Sequence, residues 1–380
     1  MSNILITGAR APVALHLSRL FHAAGHRVTL ADSHRFPLSR RTRSATYLQL
    51  PAPRSGIAQY ATAVEAVVRE RRIDLVVPTC EEVFFLAAAR DLHGRAIPLF
   101  APTFAVLARA HNKASFASDA VGFGADPAHT DLAASPEELA AIGNATQRVL
   151  KPAWSRFASR VLIRPTAQEL RSIVPTAADP WVVQDFLTGE ELCGYGVAAG
   201  GRLLAFAAYR PLYRSGLGAG IAFEPVDEPV ARTFAAGYAA STAWTGQLSF
   251  DFRRDAAGQL HVIECNPRAV SGLHFFGPGD GLPAAILEGG ESAGTDRRAM
   301  TVPLAMVVYG LLPALRSGTL PRWWRDYRRM DNVLALAGDK SVGMAQLLAL
   351  GEIALLALGS GKSLQQAATH DLEWNGEPLG

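Results

Sequence analysis

The first hundred residues alternate short apolar runs with longer stretches of helical period. Residues 3–7 are apolar and residues 8–10 form a turn. Residues 12–24 repeat apolar side chains at helical spacing, with Pro12 in the first turn and Gly25 past the end. Residues 27–31 read as a second strand, closed by Asp32. A helix over 56–71, a fully buried strand over 73–78, a helix from Glu81 and a short strand over 97–101 follow. Strands alternating with helices predict a small doubly wound parallel sheet. Arg10, Thr79, Glu81 and Glu82 would then lie just beyond strand C-termini, where open sheets of this kind bind ligands. Glu81 and Glu82 read equally well as the acidic start of a helix, beside its positive dipole end.

Beyond residue 103 the pattern changes. Residues 104–120 are helical and carry Lys113, and Ser135–Glu138 and Thr166–Glu169 have capping-box spacing. A strand over 147–151 ends in Lys151, followed by a loop over 153–160. Residues 181–187 form a strand, two strands flank Gly200-Gly201, and 228–243 is a helix. Next come two β-rich runs, 249–253 and 260–266, separated by turn residues Asp255 to Gly258. With a four-residue loop, alternation puts Asp251 on one face with Val262, Glu264 and Asn266. Phe250, Phe252, Ile263 and Cys265 then face a core. Two carboxylates and a carboxamide gathered this way suit Mg²⁺, which is held by a few carboxylates plus substrate phosphates. A surface hairpin with solvated acids is the alternative, and it leaves acids inside the run VIECN unexplained. From about residue 293 the pattern is mostly helical, down to a polar DLEWNG at 371–376. The apolar stretches 302–315 and 342–358 fall short of the roughly 20 residues a membrane span needs. They predict buried helices, with contact at a membrane surface as the lesser alternative.

Composition narrows the function classes. A chain of 380 residues has room for two or three domains. A net charge of +3, with no basic block interleaved with aromatics, argues against a nucleic-acid partner. Of 37 basic residues only Lys113, Lys151, Lys340 and Lys362 are lysines, so a lysine says more than an arginine here. Three cysteines without pair or metal spacing fit a reducing compartment, and the first residues lack a signal region, which together predict a cytoplasmic protein. Asp32 after the opening strand–helix–strand invites a nicotinamide-dinucleotide reading. The glycine fingerprint is missing, because Ala9, Arg10, Ala11 and Pro12 follow Gly8.

The hairpin resembles the metal-binding hairpin of the ATP-grasp superfamily: Asp251 on the first strand, Glu264 and Asn266 flanking Cys265 on the second, then Pro267-Arg268. The resemblance extends over about residues 2–288. It implies an α/β chain with a Rossmann-like domain ahead of the nucleotide site (1–109), an ATP-grasp α+β domain (110–292) and a mostly helical extension (293–380). Asp251, Glu264 and Asn266 would hold two Mg²⁺ ions, for which Mn²⁺ can substitute. Lys113 and Lys151 stand where the family places its two phosphate lysines. The loop after Lys151 departs from the family by lacking glycine. Ser155 and Ser159 would offer it hydroxyls, with Arg156 or Arg160 adding charge.

By the same resemblance, Gln184 and the backbone of Asp185, Phe186 and Leu187 would form the adenine edge. Glu191 would hold the ribose, with Glu190 as its rival at one residue of slip. Arg210 and Arg214 would stand near the γ-phosphate, and Arg268, Ser271 and His274 would face the phosphate acceptor. The implied activity is a ligase that activates a small carboxylate with Mg-ATP as an acylphosphate and couples it to an amine, releasing ADP and phosphate. A carboxylase, a carbamoyl-phosphate-type enzyme, a kinase and a non-catalytic nucleotide binder are the alternatives. The resemblance leaves a dimer open.

Overall fold

The computed structural model describes residues 1–155, 160–215, 218, 220–294, 296, 298–335 and 341–379. Strands β1 (Asn3–Thr7), β2 (Arg27–Asp32), β3 (Thr46–Gln49) and β4 (Leu75–Val77) form a parallel sheet in the order β3-β2-β1-β4. Alternate residues of these strands feed two different cores. Ile4, Ile6, Leu30 and Val77 pack with the helix Pro12–Ala23, while Leu5, Ala31 and Val76 pack with the helices Ile57–Arg71 and Glu82–Leu92. Helices thus cover both faces, as the strand–helix alternation predicts. Gly8 turns the chain out of β1 at φ 77, where a Cβ would stand 2.6 Å from the Thr79 hydroxyl. Residues 97–101 add only one parallel bridge, Val76 to Leu99, in place of the expected strand. β3 has no apolar alternation and was not expected.

The predicted 104–120 helix is two helices, Phe104–His111 and Lys113–Asp119. Asn112 divides them: its backbone is extended, and its side chain caps the second helix by accepting from the N–H groups of Ala114 and Ser115, both at 3.1 Å. Two further sheets follow. β5 (Asp126–Pro127) lies at one edge of the larger sheet. β6 (Thr130–Ala133), β7 (Val149–Pro152), β8 (Leu162–Ile163) and β9 (Trp181–Gln184) form the smaller one, antiparallel in the order β6-β9-β7-β8. The larger sheet takes β10 (Glu190–Ala199), β11 (Arg202–Arg214), β12 (Gly220–Val226), β13 (Gly246–Arg254) and β14 (Leu260–Asn266), in the order β12-β11-β10-β13-β14-β5. One of its faces packs on the helix Pro229–Ser241 through Phe234, Tyr238, Phe250 and Phe252.

The C-terminal region is mostly helical, and two of its helices differ from expectation. The apolar helix Ser341–Ser360 is not buried: Leu347, Leu355 and Leu358 are 63%, 72% and 82% exposed. It is apolar on all sides and touches the body through Val342, Ala345 and Ala357, while its Glu352 carboxylate accepts from the N–H groups of Arg35 and Phe36, both at 2.7 Å. By length and composition it is the one helix among the described residues able to cross a membrane. Val307, Val308, Leu312 and Leu315, within the 302–315 stretch, are also exposed. The sequence pattern measured hydropathy, and nothing in it says whether a partner surface exists within the chain. Beyond these helices, residues 364–379 run back to the N-terminal sheet, where the Asp371 carboxylate meets Arg10 at 2.6 Å.

Candidate functional site

Asp251 and Glu264 sit directly opposite each other on β13 and β14, and Ser249 opposes Asn266. The route to that register differs from the predicted one. Arg254 pairs with Leu260, so the loop has five residues, and a β-bulge between Asp251 and Phe252 leaves Ile263 unpaired. The longer loop alone would have turned Glu264 to the far face; the bulge turns it back. Val262 therefore faces the core with Phe252, fully buried, and Ile263 does not. Two like charges opposed across a strand pair repel unless a cation joins them. Burial, then the Glu264 charge, push the Asp251 carboxyl up, against Arg214, the Cys193 thiol and Arg268. The Asn266 amide donates to Asp251 at 3.3 Å. Among the described residues no group of three or more His, Cys, Asp or Glu could hold a metal. Two carboxylates and one amide form an incomplete oxygen set of the kind Mg²⁺ shares with phosphates and water.

Both lysines reach this cluster. Lys151 lies on β7 one residue before its end, with its ammonium 3.2 Å from Glu264, and Lys113 approaches the same oxygen at 3.9 Å. Burial pushes Glu264 up, but the two ammonium charges outweigh it and bring the carboxyl down to about 2. Lys113 is 4% exposed and begins a helix, where the dipole disfavours a cation. Burial lowers its pKa to about 8 although Glu264 opposes the shift. The Lys113 ammonium also donates to the Ser155 carbonyl, and its backbone N–H donates to Ala153 O at 3.1 Å. The loop after β7 is thus fastened to Lys113 at its start. Ser159 and Arg156 lie outside the described residues, while Arg160 turns away to Asp179 at 2.8 Å.

Gln184 is buried at the end of β9, donating to Thr130 Oγ1 at 3.0 Å and to the Ile263 carbonyl at 3.2 Å. The bulge residue thus ties the small sheet to the hairpin. β9 ends at Gln184, so Asp185, Phe186 and Leu187 lie beyond the expected strand. Asp185 is held by Arg148 at 2.9 Å, Phe186 lies under the Arg164 guanidinium at 4.3 Å, and Leu187 is half-buried. Gly189 carries the chain into β10 so close to β13 that a Cβ would fall 2.0 Å from the Arg254 carbonyl. Along β10, Glu191 shares the face of Cys193, which pairs with Asp251, and Glu190 takes the opposite face.

The arginines divide the same way. Arg214 pairs with Glu191 on the Asp251 face, whereas Arg210 pairs with Glu190 at 2.5 Å and Glu224 at 3.2 Å on the other. Register shifts between Pro211 and Arg214 separate the two. Arg268 stands beside Asn266, with its Nε 3.8 Å from Glu81 at the end of the N-terminal sheet. Ser271 opens a short 3₁₀ turn. His274, in the same turn, is not brought to the cluster. It is buried between Phe223 and His16, ring centroids 5.9 and 5.0 Å away, and burial followed by the nearby His16 and Arg19 charges keeps it neutral. Three neighbours carried no sequence signal: Thr130, which accepts from Gln184; Cys193, which pairs with Asp251 across the strands; and Tyr209, which pairs with Cys193. None of them sits in a motif, so spacing does not mark them.

No family model matches the sequence, and no curated protein matches it. Solved structures do match. The phosphoribosylamine–glycine ligase of Thermotoga maritima shares 19% identity at a TM-score of 0.58, covering 78% of each chain. The L-amino acid ligase of Bacillus licheniformis shares 16% at 0.54, covering 70% of this chain and 67% of its own. The biotin carboxylase domain of the Hydrogenobacter thermophilus 2-oxoglutarate carboxylase, in complex with MgADP, shares 14% at 0.56, covering 71% and 64%. With its parallel sheet, its antiparallel sheets and the order in which they follow along the chain, this protein has the fold of the ATP-grasp superfamily.

Proposed function

We propose that the protein is an Mg-ATP-dependent ligase that phosphorylates a small carboxylate and passes the acyl group to an amine. The observation that carries this reading is the cross-strand pair Asp251–Glu264, with Asn266 beside it and two buried lysines converging on Glu264. Like charges opposed in a protein interior make sense around a cation and a polyphosphate. Under this reading residues 1–109 supply part of the second-substrate site, residues 110–292 the nucleotide site, and residues 293–380 a helical cover. Asp251, Glu264 and Asn266 would hold Mg²⁺, which when bound neutralises phosphate charge.

Lys113 and Lys151 would hold the ATP phosphates, with Ser155 and Ser159 on the loop after Lys151. Gln184, Asp185, Phe186 and Leu187 would line the adenine, and Glu191 would take the ribose hydroxyls. Glu191 is a better candidate than Glu190 because it shares the face of Asp251. Arg214 is a better candidate than Arg210 for the γ-phosphate, for the same reason. Arg268 stands between the hairpin and Glu81, where a carboxylate could be gripped bidentately. Its oxygen attacks the γ-phosphorus, the bond to the bridging oxygen breaks, and ADP leaves. The amine then attacks the acyl carbon and phosphate departs. The protein contributes position and charge, with no covalent intermediate of its own.

The test is ADP release measured against a panel of carboxylates, with hydroxylamine present to trap the acylphosphate as a hydroxamate. Asp251→Asn and Glu264→Gln should each lower turnover at least a hundredfold, roughly the loss of one well-placed electrostatic group, with circular dichroism unchanged. Wild-type turnover in both variants rules out the metal assignment. ADP release with no hydroxamate from any acid rules out the acylphosphate.

A further inference from the structure

We propose that the C-terminal segment belongs to the nucleotide site, with Trp374 as the positioning residue for Trp154 and Ser155, which lie just after β7. Trp374 is 3% exposed although it lies more than two hundred residues beyond them. Its indole meets Trp154 edge-on at 5.0 Å between centroids and His111 at 6.1 Å. Those two residues flank the chemistry on either side. Trp154 directly precedes Ser155, whose carbonyl accepts from the Lys113 ammonium, and His111 lies two residues before Lys113. Gly376 closes the contact from the same segment. Its backbone lies so flat on Trp154 that a Cβ would be 2.8 Å from three atoms of the ring.

The segment is itself latched at several points. Asp371 bonds Arg10 through both carboxylate oxygens, at 2.6 and 2.8 Å. Its carbonyl accepts from the Arg54 N–H at 3.0 Å, and the Arg54 guanidinium reaches Glu377 at 2.7 Å. The Trp374 indole N–H donates to Glu377 O at 2.7 Å, which fixes the ring plane. A short polar tail therefore delivers one rigid aromatic wall against Trp154 and His111 together. Under the proposed reading the adenine side would be built from other elements, the end of β9 and the start of β10, which the tail does not brace in this way among the described residues. The inference rests on the reading of Lys113 and the loop as phosphate-binding.

The experiment compares Mg-ATP and adenosine affinities by calorimetry and competition for the full-length wild type, Trp374→Ala, Trp374→Phe and Trp154→Ala. Trp374→Ala should lose about tenfold or more in Mg-ATP affinity, the cost of a misplaced binding group, while adenosine affinity stays within about twofold. Phenylalanine should restore most of the loss, and the Trp374→Ala/Trp154→Ala double variant should be no worse than the poorer single. Gly376→Ala, which crowds Trp154 and strains a backbone held at φ 90 without removing any ring, should reproduce the selective loss and serves if Trp374→Ala does not fold. Unchanged Mg-ATP affinity in Trp374→Ala and Gly376→Ala overturns the positioning role. An equal loss for ATP and adenosine overturns it too, since that is the mark of general destabilisation. A wild type that binds no nucleotide defeats the functional reading first, and this inference with it.

Discussion

Glu264 is shared by two lysines, and that is the most informative contact in the molecule. Removing Lys151 takes away the nearer cation and leaves a half-buried carboxylate dependent on Lys113. Lys151→Ala should therefore weaken Mg-ATP about tenfold to a hundredfold, the range for a charge-assisted bond, and Lys151→Arg should lose less. Titration calorimetry decides this, and wild-type affinity in the alanine variant would separate Lys151 from the phosphates. At this scale much was legible in the sequence, because residue type and spacing carry the information. Asp251, Glu264, Asn266 and both lysines do converge. Val262 and Ile263 were assigned to the wrong faces because a bulge and a loop one residue longer cancel at Glu264 and not before it. The choice between Glu190 and Glu191, and between Arg210 and Arg214, was not legible, since a strand register resolves neighbours only once the partners are known. His274 looked polar and near the motif; burial against Phe223 could not be read from one residue.

Elements differ in how much of their surroundings they announce. Helix starts were readable where a cap was present: Ser135 and Thr166 both cap, Thr166 in the full capping box with Glu169, whereas Glu138 reaches back to the Ala134 N–H at 2.6 Å. The helix Ser341–Ser360 shows the converse, since its hydropathy was plain and its exposure was not. The DLEWNG segment carried no periodicity at all, and its role follows only from contacts with distant residues. One of those contacts has a measurable pH signature. Burial raises the Asp371 carboxyl, but bonding and charge from Arg10 outweigh it and bring it from its ordinary 3.8 down to about 2. A carboxyl held lower in the folded state stabilises fully above its unfolded value and loses that contribution as pH falls through the folded one. The latch, worth about 2 kcal/mol by this shift, should therefore hold down to pH 3.8 and fail toward pH 2. Tryptophan emission, which reports Trp374 against Trp154, should change over that window in the wild type. Asp371→Asn should show altered emission at neutral pH and little further change on acidification. Identical acid transitions in both proteins would mean that another group controls the tail.

The whole molecule places its first and last segments in one contact layer. The ligand-binding edge of a parallel sheet lies at its strand C-termini, and here Asp371 and Arg10 occupy that edge together. Asp32, which sequence position alone would offer to a dinucleotide ribose, is already taken. It accepts from the Arg10 backbone at 2.8 Å and from the Arg10 guanidinium at 2.6 Å. NADH should accordingly show no saturable fluorescence enhancement at micromolar concentration; saturation there would mean that the tail yields to a cofactor. The strand–helix alternation revealed the sheet beneath this layer but not the layer, because alternation reports what a segment is and not what crosses it.

Arg10 and Asp371 are separated by 361 positions in the chain. At about 5–20 residues per second, a ribosome makes the second roughly 20–70 s after the first. Throughout that interval the opening sheet must persist with Arg10 held by Asp32 and Ser33 and with the Trp374 site on Phe84 and Trp154 uncovered. The N-terminal sheet therefore gains its Asp371 contact only after 361 further positions have been made.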